Sequence, residues 1–479
     1  MALIDDHAGN EIQVPVDTEN LASVLPESIF RAYDIRGIYK EQLSSDSIRL
    51  IGQAVGSEAL EQGIESLLLA FDGRLSSPEL SEALIEGISG SGCNVVVIGL
   101  VPTPLLYFAT HTTEFDSGVM LTASHNPANY NGLKVVFNKT CLADNQIAAV
   151  RQRILDGRLA KGTGIVSKLD IRQTYIEYVS KNITLAKSLR VVVDCGNAVP
   201  AVIAPRLFEA LGCEVIPLFC ELDGSFPNHH PDPTIGSNLE LLAGKVVAER
   251  ADLGIAFDGD GDRLGIVTEL GTRIDADRLL MLLVQSLADR YPEEAVVFDV
   301  KCSTSLPKLI SELGMKPVMH RSGHSFMKQK MQETNAPLGG EFAAHIFIKD
   351  RWFGFDDGIY TAARVAEVLS QSDKSCSDTF SPFQHAISTE EIKVVVNEEE
   401  KFDLMHKITK LVEFDDARLI TLDGIRAEFR DGWGLVRASN TSPALLLRFE
   451  AQSEKSLQRI KDRFKALIGK ADNSLVLNF

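Results

Sequence analysis

Residues 190–263 contain RVVVDC (190–195), PAVIAPRLFEALG (200–212), EVIPLF (214–219), NLELLAGKVVAERA (238–251) and DLGIAFDGDGDR (252–263). The short β-branched runs have the length and composition of buried strands, and the longer segments carry helical apolar spacing. Strand, helix, strand, helix, strand is the order of βαβ units around a largely parallel sheet. The same order stands upstream, in SLLLAFD (66–72), SSPELSEALIEGISG (76–90), NVVVIG (94–99), PTPLLYFATHTT (102–113) and GVMLTASHNP (118–127). It returns downstream in AVVFDV (295–300), STSLPKLISELG (303–314), KPVMHR (316–321), SFMKQKMQETNA (325–336) and PLGGEFAAH (337–345). Identity among the three passages is slight, yet in each the most polar cluster lies just past the last strand. Ligands of open α/β sheets bind at the carboxyl ends of strands, so the repeat predicts three loops facing one site.

From about Ser388 the pattern changes. EEIKVVV (390–396), RLITLDGIRAEF (418–429), GWGLVRA (432–438) and ALLLRFEA (444–451) are strand-like, and KFDLMHKITKLVEF (401–414) and EKSLQRIKDRFKALIGK (454–470) are helical. This is a smaller α+β domain, joined by an expected linker, QSDKSCSDTFSPFQHAIS (371–388), rich in Ser and Asp with Pro382. The expected fold is α/β, with three similar mixed-sheet domains plus the C-terminal one. The boundaries are an N-terminal extension at 1–20 and domains at 21–167, 168–270, 271–387 and 388–479.

The chain of 479 residues is long enough for three to four domains at about 150 residues each. With 45% hydrophobic and 24% charged residues it is not a disordered chain. A net charge of −18 argues against non-specific binding to nucleic acid or anionic membrane, so an anionic ligand needs a local basic site. Seven scattered cysteines (Cys93, Cys141, Cys195, Cys213, Cys220, Cys302, Cys376) form no CxxC pair, which suits reduced thiols and a cytoplasmic protein. The first twenty residues lack a basic and apolar leader, and no run approaches the roughly 18 apolar residues of a membrane span.

Thr122-Ala123-Ser124-His125-Asn126-Pro127, with Lys134 ten residues beyond Ser124, places a hydroxyl beside an imidazole at a strand end. That pattern suits a nucleophile or phosphate carrier with acid–base help, and equally a polar turn. No G-x-S-x-G elbow surrounds Ser124, which disfavours a serine hydrolase. In Phe257-Asp258-Gly259-Asp260-Gly261-Asp262-Arg263, carboxylates at alternate positions separated by glycines suit a hard divalent cation. An EF-hand needs glycine where Arg263 stands, and LGIVTE (264–269) reads as a strand, so Mg²⁺ beside a phosphate is favoured, with Arg263 as a charge clamp.

Arg437-Ala438-Ser439-Asn440-Thr441-Ser442-Pro443, with Arg448 beyond, makes a phosphate cradle or a turn joining two strands. Lys301 and His324 could bind an anion or exchange protons, and Glu341 in Gly340-Glu341-Phe342-Ala343-Ala344-His345 could grip sugar hydroxyls. Arg31, Tyr33, Asp34 and Arg36 in FRAYDIRG (30–37) are explained equally well by a helix cap with ion pairs.

Taken together and in this order, FRAYDIRG, TASHNP with NGLK, FDGDGDR, GHS, GEFAAH, WFGFDDG and RASNTSP resemble the α-D-phosphohexomutase superfamily, most closely its bacterial phosphomannomutase/phosphoglucomutase group. The likeness spans roughly residues 26–479. It implies four domains around one central cleft and a reversible phosphoryl transfer between the 1- and 6-positions of mannose and glucose phosphates. Ser124 is then the phosphoserine, and Ser124, Asp258, Asp260 and Asp262 hold Mg²⁺. Tyr33, Arg36, His125, Lys134 and Arg263 serve catalysis. Lys301, His324, Glu341, His345, Arg437, Ser439, Asn440 and Thr441 bind substrate.

The resemblance also implies hexose phosphates as the ligands, a hexose 1,6-bisphosphate as activator and intermediate, and a monomer without nucleic-acid or membrane partners. A phosphoglucosamine mutase is the alternative within the class, and a sugar-phosphate-binding protein the alternative outside it. Two positions depart from the family pattern. Ala343 stands where serine is usual, removing a hydrogen bond worth about 0.5–1.5 kcal/mol, and Arg321 stands where lysine is frequent.

Overall fold

The computed structural model describes residues 25–383, 386–397, 399–440 and 442–479. The expected N-terminal extension lies outside them.

Each of the three repeated passages builds a sheet with the same inner order. In the first, Asn94–Leu100, Ser66–Phe71 and Gly118–Leu121 run parallel, and Tyr130–Phe137 returns antiparallel beside the last of them. In the second, Glu214–Leu218, Arg190–Asp194 and Leu253–Phe257 are followed by antiparallel Leu264–Thr268. In the third, Lys316–His320, Ala295–Asp299 and Leu338–Gly340 are followed by antiparallel Ile346–Ile348. The weak repeat in the sequence is thus a repeat of topology. The polar cluster of each passage forms the turn between its last parallel strand and the antiparallel one.

Short edge strands shift the expected boundaries. Val166–Lys168 pairs with Asn94–Leu100, so a boundary after 167 cuts a strand of the first sheet. Arg273–Ile274 pairs with Leu264–Thr268 and extends the second sheet past 270. Ile387–Ser388 pairs with Ala444–Ala451, so the fourth sheet begins before 388. Strands of two or three residues are too short to show an alternating pattern.

The expected linker also holds structure. Cys376–Phe380 is a helix capped by Ser375, and Cys376, Phe380 and Phe383 are buried. FRAYDIRG caps no helix: Glu27–Ile29 is a short 3₁₀ turn, and Ile35–Ile38 is a strand beside Tyr130–Phe137. RLITLDGIRAEF is two strands, Arg418–Ile420 and Ile425–Phe429, with Asp423 in the turn. The fourth sheet is antiparallel throughout its pairings and is covered by Lys401–Leu411 and Glu454–Ala471.

One apolar core runs continuously from Leu68 to Phe383 through the first three domains, whereas the fourth has a core of its own. At the junction Phe108 stacks on Trp352 at 5.7 Å and meets Tyr175 edge-on at 5.3 Å, and Trp352 stacks on Tyr360 at 4.1 Å. No helix among the described residues is long and apolar enough to cross a membrane.

His111 ends the helix Thr103–Thr112 with its ring stacked on Phe353 at 5.0 Å and Phe355 at 5.6 Å. Burial, then Lys139 and Lys328, push its pKa down to about 4. The folded value lies below the unfolded one near 6.5, so the unfolded chain binds the extra proton. Its contribution to stability is complete above pH 6.5 and is lost as pH falls towards 4. His111→Gln is expected to flatten the decline in melting temperature between pH 6.5 and 4 by about 2–4 °C, measured by calorimetry. Parallel curves for the two proteins would remove His111 from the account.

Candidate active site

The strand Gly118–Leu121 delivers the chain into the Ser124 turn. Ser124 adopts φ +49° and is 2% exposed. Its N–H donates to Thr122 Oγ1 at 2.9 Å, and its hydroxyl donates to Asp258 Oδ2 at 2.7 Å. His125 Nδ1 lies 3.1 Å from the same hydroxyl. Burial, then Arg263 and Arg36, hold the His125 pKa well below its usual value, so the ring is neutral. Arg36 donates to Asn126 Oδ1 at 2.7 Å and pairs with Asp34 at 2.5 Å, which fixes this turn from the neighbouring strand.

Asp258, Asp260 and Asp262 are all fully buried between Leu253–Phe257 and Leu264–Thr268, and their ligand atoms lie within 4.8 Å of one another. The glycines are obligatory: a Cβ on Gly259 would meet the Ser124 carbonyl at 2.2 Å, and Gly261 has φ +80°. Asp258 Oδ1 accepts from the N–H groups of Gly261 at 3.0 Å and Arg263 at 3.1 Å. Lys134 Nζ donates to Asp260 at 2.7 Å and Asp262 at 2.6 Å. Burial lowers the Lys134 pKa, but Asp260 and Asp262 outweigh it and the ammonium is retained. Burial, then Asp262 and Asp260, push Asp258 well above the carboxylate range.

Asp260 Oδ1 and Asp262 Oδ1 are buried without a hydrogen-bond partner. Three carboxylates beside one ammonium, with Asp260 Oδ1 unclaimed and Asp262 Oδ1 facing His345 Nε2 at 3.3 Å, form a donor set that can hold a metal ion. Asp262, His345 and Asp356 also converge, but there Lys328 already supplies a cation to Asp356 at 2.8 Å. Burial opposes protonation of His345, yet Asp262 at 3.3 Å and Glu341 at 2.9 Å raise its pKa to about 9.

Tyr33, His125, Arg263, Lys301, His324, Glu341, His345, Arg437, Ser439 and Asn440 line one cleft, and Ser124, Lys134 and the aspartates lie beneath it. Tyr33 faces the His324 ring edge-on at 4.8 Å, and burial, then Asp34 and Glu341, push its phenol up to about 12. Glu341 accepts from the Gly323 N–H at 2.6 Å and from His345, which orients both loops. Neither ring nitrogen of His324 makes a hydrogen bond, and burial, then Lys328, keep this ring neutral.

Lys301 Nζ stands 3.3 Å from Glu391 and 3.8 Å from Asp299. Arg437 Nε donates to Asp423 at 2.8 Å, and Asp423 also accepts the Ser322 N–H at 2.9 Å, so the fourth domain is tied to the His324 loop. Ser439 Oγ accepts from Ser442 Oγ at 2.8 Å within its turn. Thr441 lies outside the described residues. Arg448 stacks on Phe342 at 3.4 Å and donates to the Lys301 carbonyl. Ala343 lines the cleft beside Glu341.

Sequence reasoning missed Arg74, Asp72, Asp299, Glu391 and Asp423. One signal was available: each repeated passage ends its first strand in aspartate, Asp72, Asp194 and Asp299. All three are buried and bind an adjacent loop, through Thr122 at 2.8 Å, His229 at 3.0 Å and Ser322 at 2.7 Å respectively.

The family described as phosphoglucomutase/phosphomannomutase matches through its alpha/beta/alpha domain I at residues 27–160, domain II at 173–271, domain III at 275–385 and C-terminal domain at 391–467. The chain belongs to this family. It is 51% identical over 458 residues to a Pseudomonas aeruginosa phosphomannomutase/phosphoglucomutase, covering 96% of this chain and 99% of the relative. It is 43% identical over 448 residues to a Neisseria gonorrhoeae phosphoglucomutase, covering 93% and 97%. The solved structure of a phosphoglucomutase/phosphomannomutase family protein from Burkholderia thailandensis superposes with a TM-score of 0.90 at 43% identity, covering 95% of this chain and all of that one.

Proposed function

We propose that the chain is a phosphohexomutase that moves a phosphoryl group between the 1- and 6-positions of mannose and glucose phosphates through phosphorylated Ser124. The observation that carries this is the Ser124 hydroxyl placed 2.7 Å from Asp258, beneath a cleft that Lys301 and Arg437 line. The high-identity relatives support glucose and mannose phosphates over amino-sugar phosphates.

In the proposed reaction the P–O bond to Ser124 breaks as a sugar hydroxyl oxygen attacks phosphorus, giving free Ser124 and a hexose 1,6-bisphosphate. The bisphosphate turns within the cleft, and Ser124 Oγ takes back the other phosphoryl group. Lys301, Arg437, Ser439 and Asn440 would hold the non-reacting phosphate in either orientation, with Thr441 beside them. Glu341 would accept from sugar hydroxyls, and His324, neutral and unbonded at both nitrogens, would accept the proton of the attacking hydroxyl. Arg36, Lys134, Arg263 and His125 would surround the transferring group with positive charge and donors, with Tyr33 against His324. Asp258, Asp260 and Asp262 would hold Mg²⁺ with an oxygen of the phosphorylated serine, and the ion when bound would neutralise charge on the transferring phosphoryl. All these residues come from one chain, which supports a monomer. The seven free cysteines support a reducing cytoplasm.

The test is turnover of mannose 1-phosphate and glucose 1-phosphate with Mg²⁺ and a trace of glucose 1,6-bisphosphate. Both are expected to react, on the order of 1–10³ per second. Reaction of glucosamine 1-phosphate alone would replace the assignment with an amino-sugar mutase. Silence on all three from phosphorylated protein would leave a binding protein.

A further inference from the structure

The side chain of Arg74 is inaccessible to solvent and does not line the cleft. Its Nε donates to Asp72 Oδ2 at 3.0 Å. Nη1 donates to the carbonyls of Pro127 at 2.6 Å and Tyr130 at 3.1 Å, and Nη2 to those of Ser124 at 2.6 Å and Asn126 at 2.7 Å. A guanidinium has five N–H donors, and all five are spent. Asp72, the other half of the device, also accepts from Ser77 Oγ at 2.6 Å and Thr122 Oγ1 at 2.8 Å. Thr122 Oγ1 in turn accepts the Ser124 N–H, holding the serine in its left-handed conformation.

The carbonyls drawn onto Arg74 belong to Ser124 and to residues that follow it in the same turn. Four carbonyls thus pin the turn along its length, and the Ser124 carbonyl itself lies against Gly259, between Asp258 and Asp260. A loop without those bonds would relax its φ +49° serine and lose the aim of its hydroxyl. We infer that Arg74 is a positioning residue for phosphoryl transfer, acting through the backbone of the serine turn by aiming the Ser124 hydroxyl. This rests on the assignment of Ser124 as the phosphoryl carrier.

The test separates transfer from binding. Arg74→Lys keeps the charge but lacks the planar fork that spans the turn. The rate of Ser124 phosphorylation by glucose 1,6-bisphosphate, followed by rapid quench and intact mass, is expected to fall about 10–100-fold, the scale of a misplacement near 1 Å. The Kd for glucose 1-phosphate, set across the cleft by Lys301 and Arg437, is expected to stay within about twofold by calorimetric titration. Thr122→Val, which removes the bond to the Ser124 N–H without touching Arg74, is expected to show the same split at about 5–10-fold, and it carries the test if Arg74→Lys does not fold. A wild-type phosphorylation rate in Arg74→Lys, or loss of rate and affinity in equal proportion, would overturn the inference. Wild-type protein that turns over sugar phosphates while Ser124 never gains a phosphoryl group would instead overturn the Ser124 assignment, and the role of Arg74 with it.

Discussion

Ser124→Ala is expected to lose turnover of glucose 1-phosphate and mannose 1-phosphate together, by about 10⁴-fold or more, because a two-step transfer without its carrier has no second route in the cleft. Physical damage from the substitution is small. The serine side chain is already buried, alanine needs no more room, and the main loss is the 2.7 Å bond to Asp258, worth about 1 kcal/mol. Sugar-phosphate affinity, which the proposed function assigns to Lys301 and Arg437, is expected within about threefold of wild type. A coupled assay and intact mass together check this: the wild type gains one phosphoryl group from glucose 1,6-bisphosphate and the variant gains none. Substantial turnover in the variant would make the serine turn a binding feature and move the chemistry elsewhere.

Chelation is the second large effect. Asp258, Asp260 and Asp262 are fully buried together, and Asp260 Oδ1 is left without a hydrogen-bond partner although Lys134 holds the other oxygen. Stripping divalent cation with EDTA is expected to reduce turnover by about 10³-fold, and Mg²⁺ is expected to restore it. Binding to the folded state alone also raises stability, by about 2.7 kcal/mol at a hundredfold excess over Kd, so the melting temperature should rise on adding Mg²⁺. Asp260→Asn is expected to weaken both responses, since Asp260 Oδ1 is buried with no hydrogen-bond partner. Full turnover in protein shown to be metal-free by elemental analysis would end the metal assignment.

Much of the fold is legible in residues 66–127, 190–263 and 295–345 because buried parallel strands announce themselves as dense β-branched runs. Edge strands such as Val166–Lys168 do not: all three of its residues are exposed and nothing in their composition marks them. The cleft residues were legible where chemistry crowds into one turn, as in TASHNP and DGDGDR. Arg74 and Asp423 were not, because each acts on a loop distant in sequence: Arg74 on Ser124, and Asp423 on Ser322. Separations of that size become visible only after the strands pair. Within the passages, the aspartate closing each first strand marked a loop-fastening position that strand patterning alone treats as the end of a run.

The continuous core bears on how such a chain can be recombined. Phe108, Tyr175 and Trp352 come from three domains but share one packing arrangement, so exchanging any one of these three modules with a relative would confront foreign side chains on two sides at once. The last module shares with its neighbour a small apolar patch around Val300, Trp433 and Leu435, ringed by polar contacts, and keeps its own interior. A chimera joined near residue 388 has one seam to satisfy, whereas one joined near 168 or 271 has to rebuild the middle of the molecule.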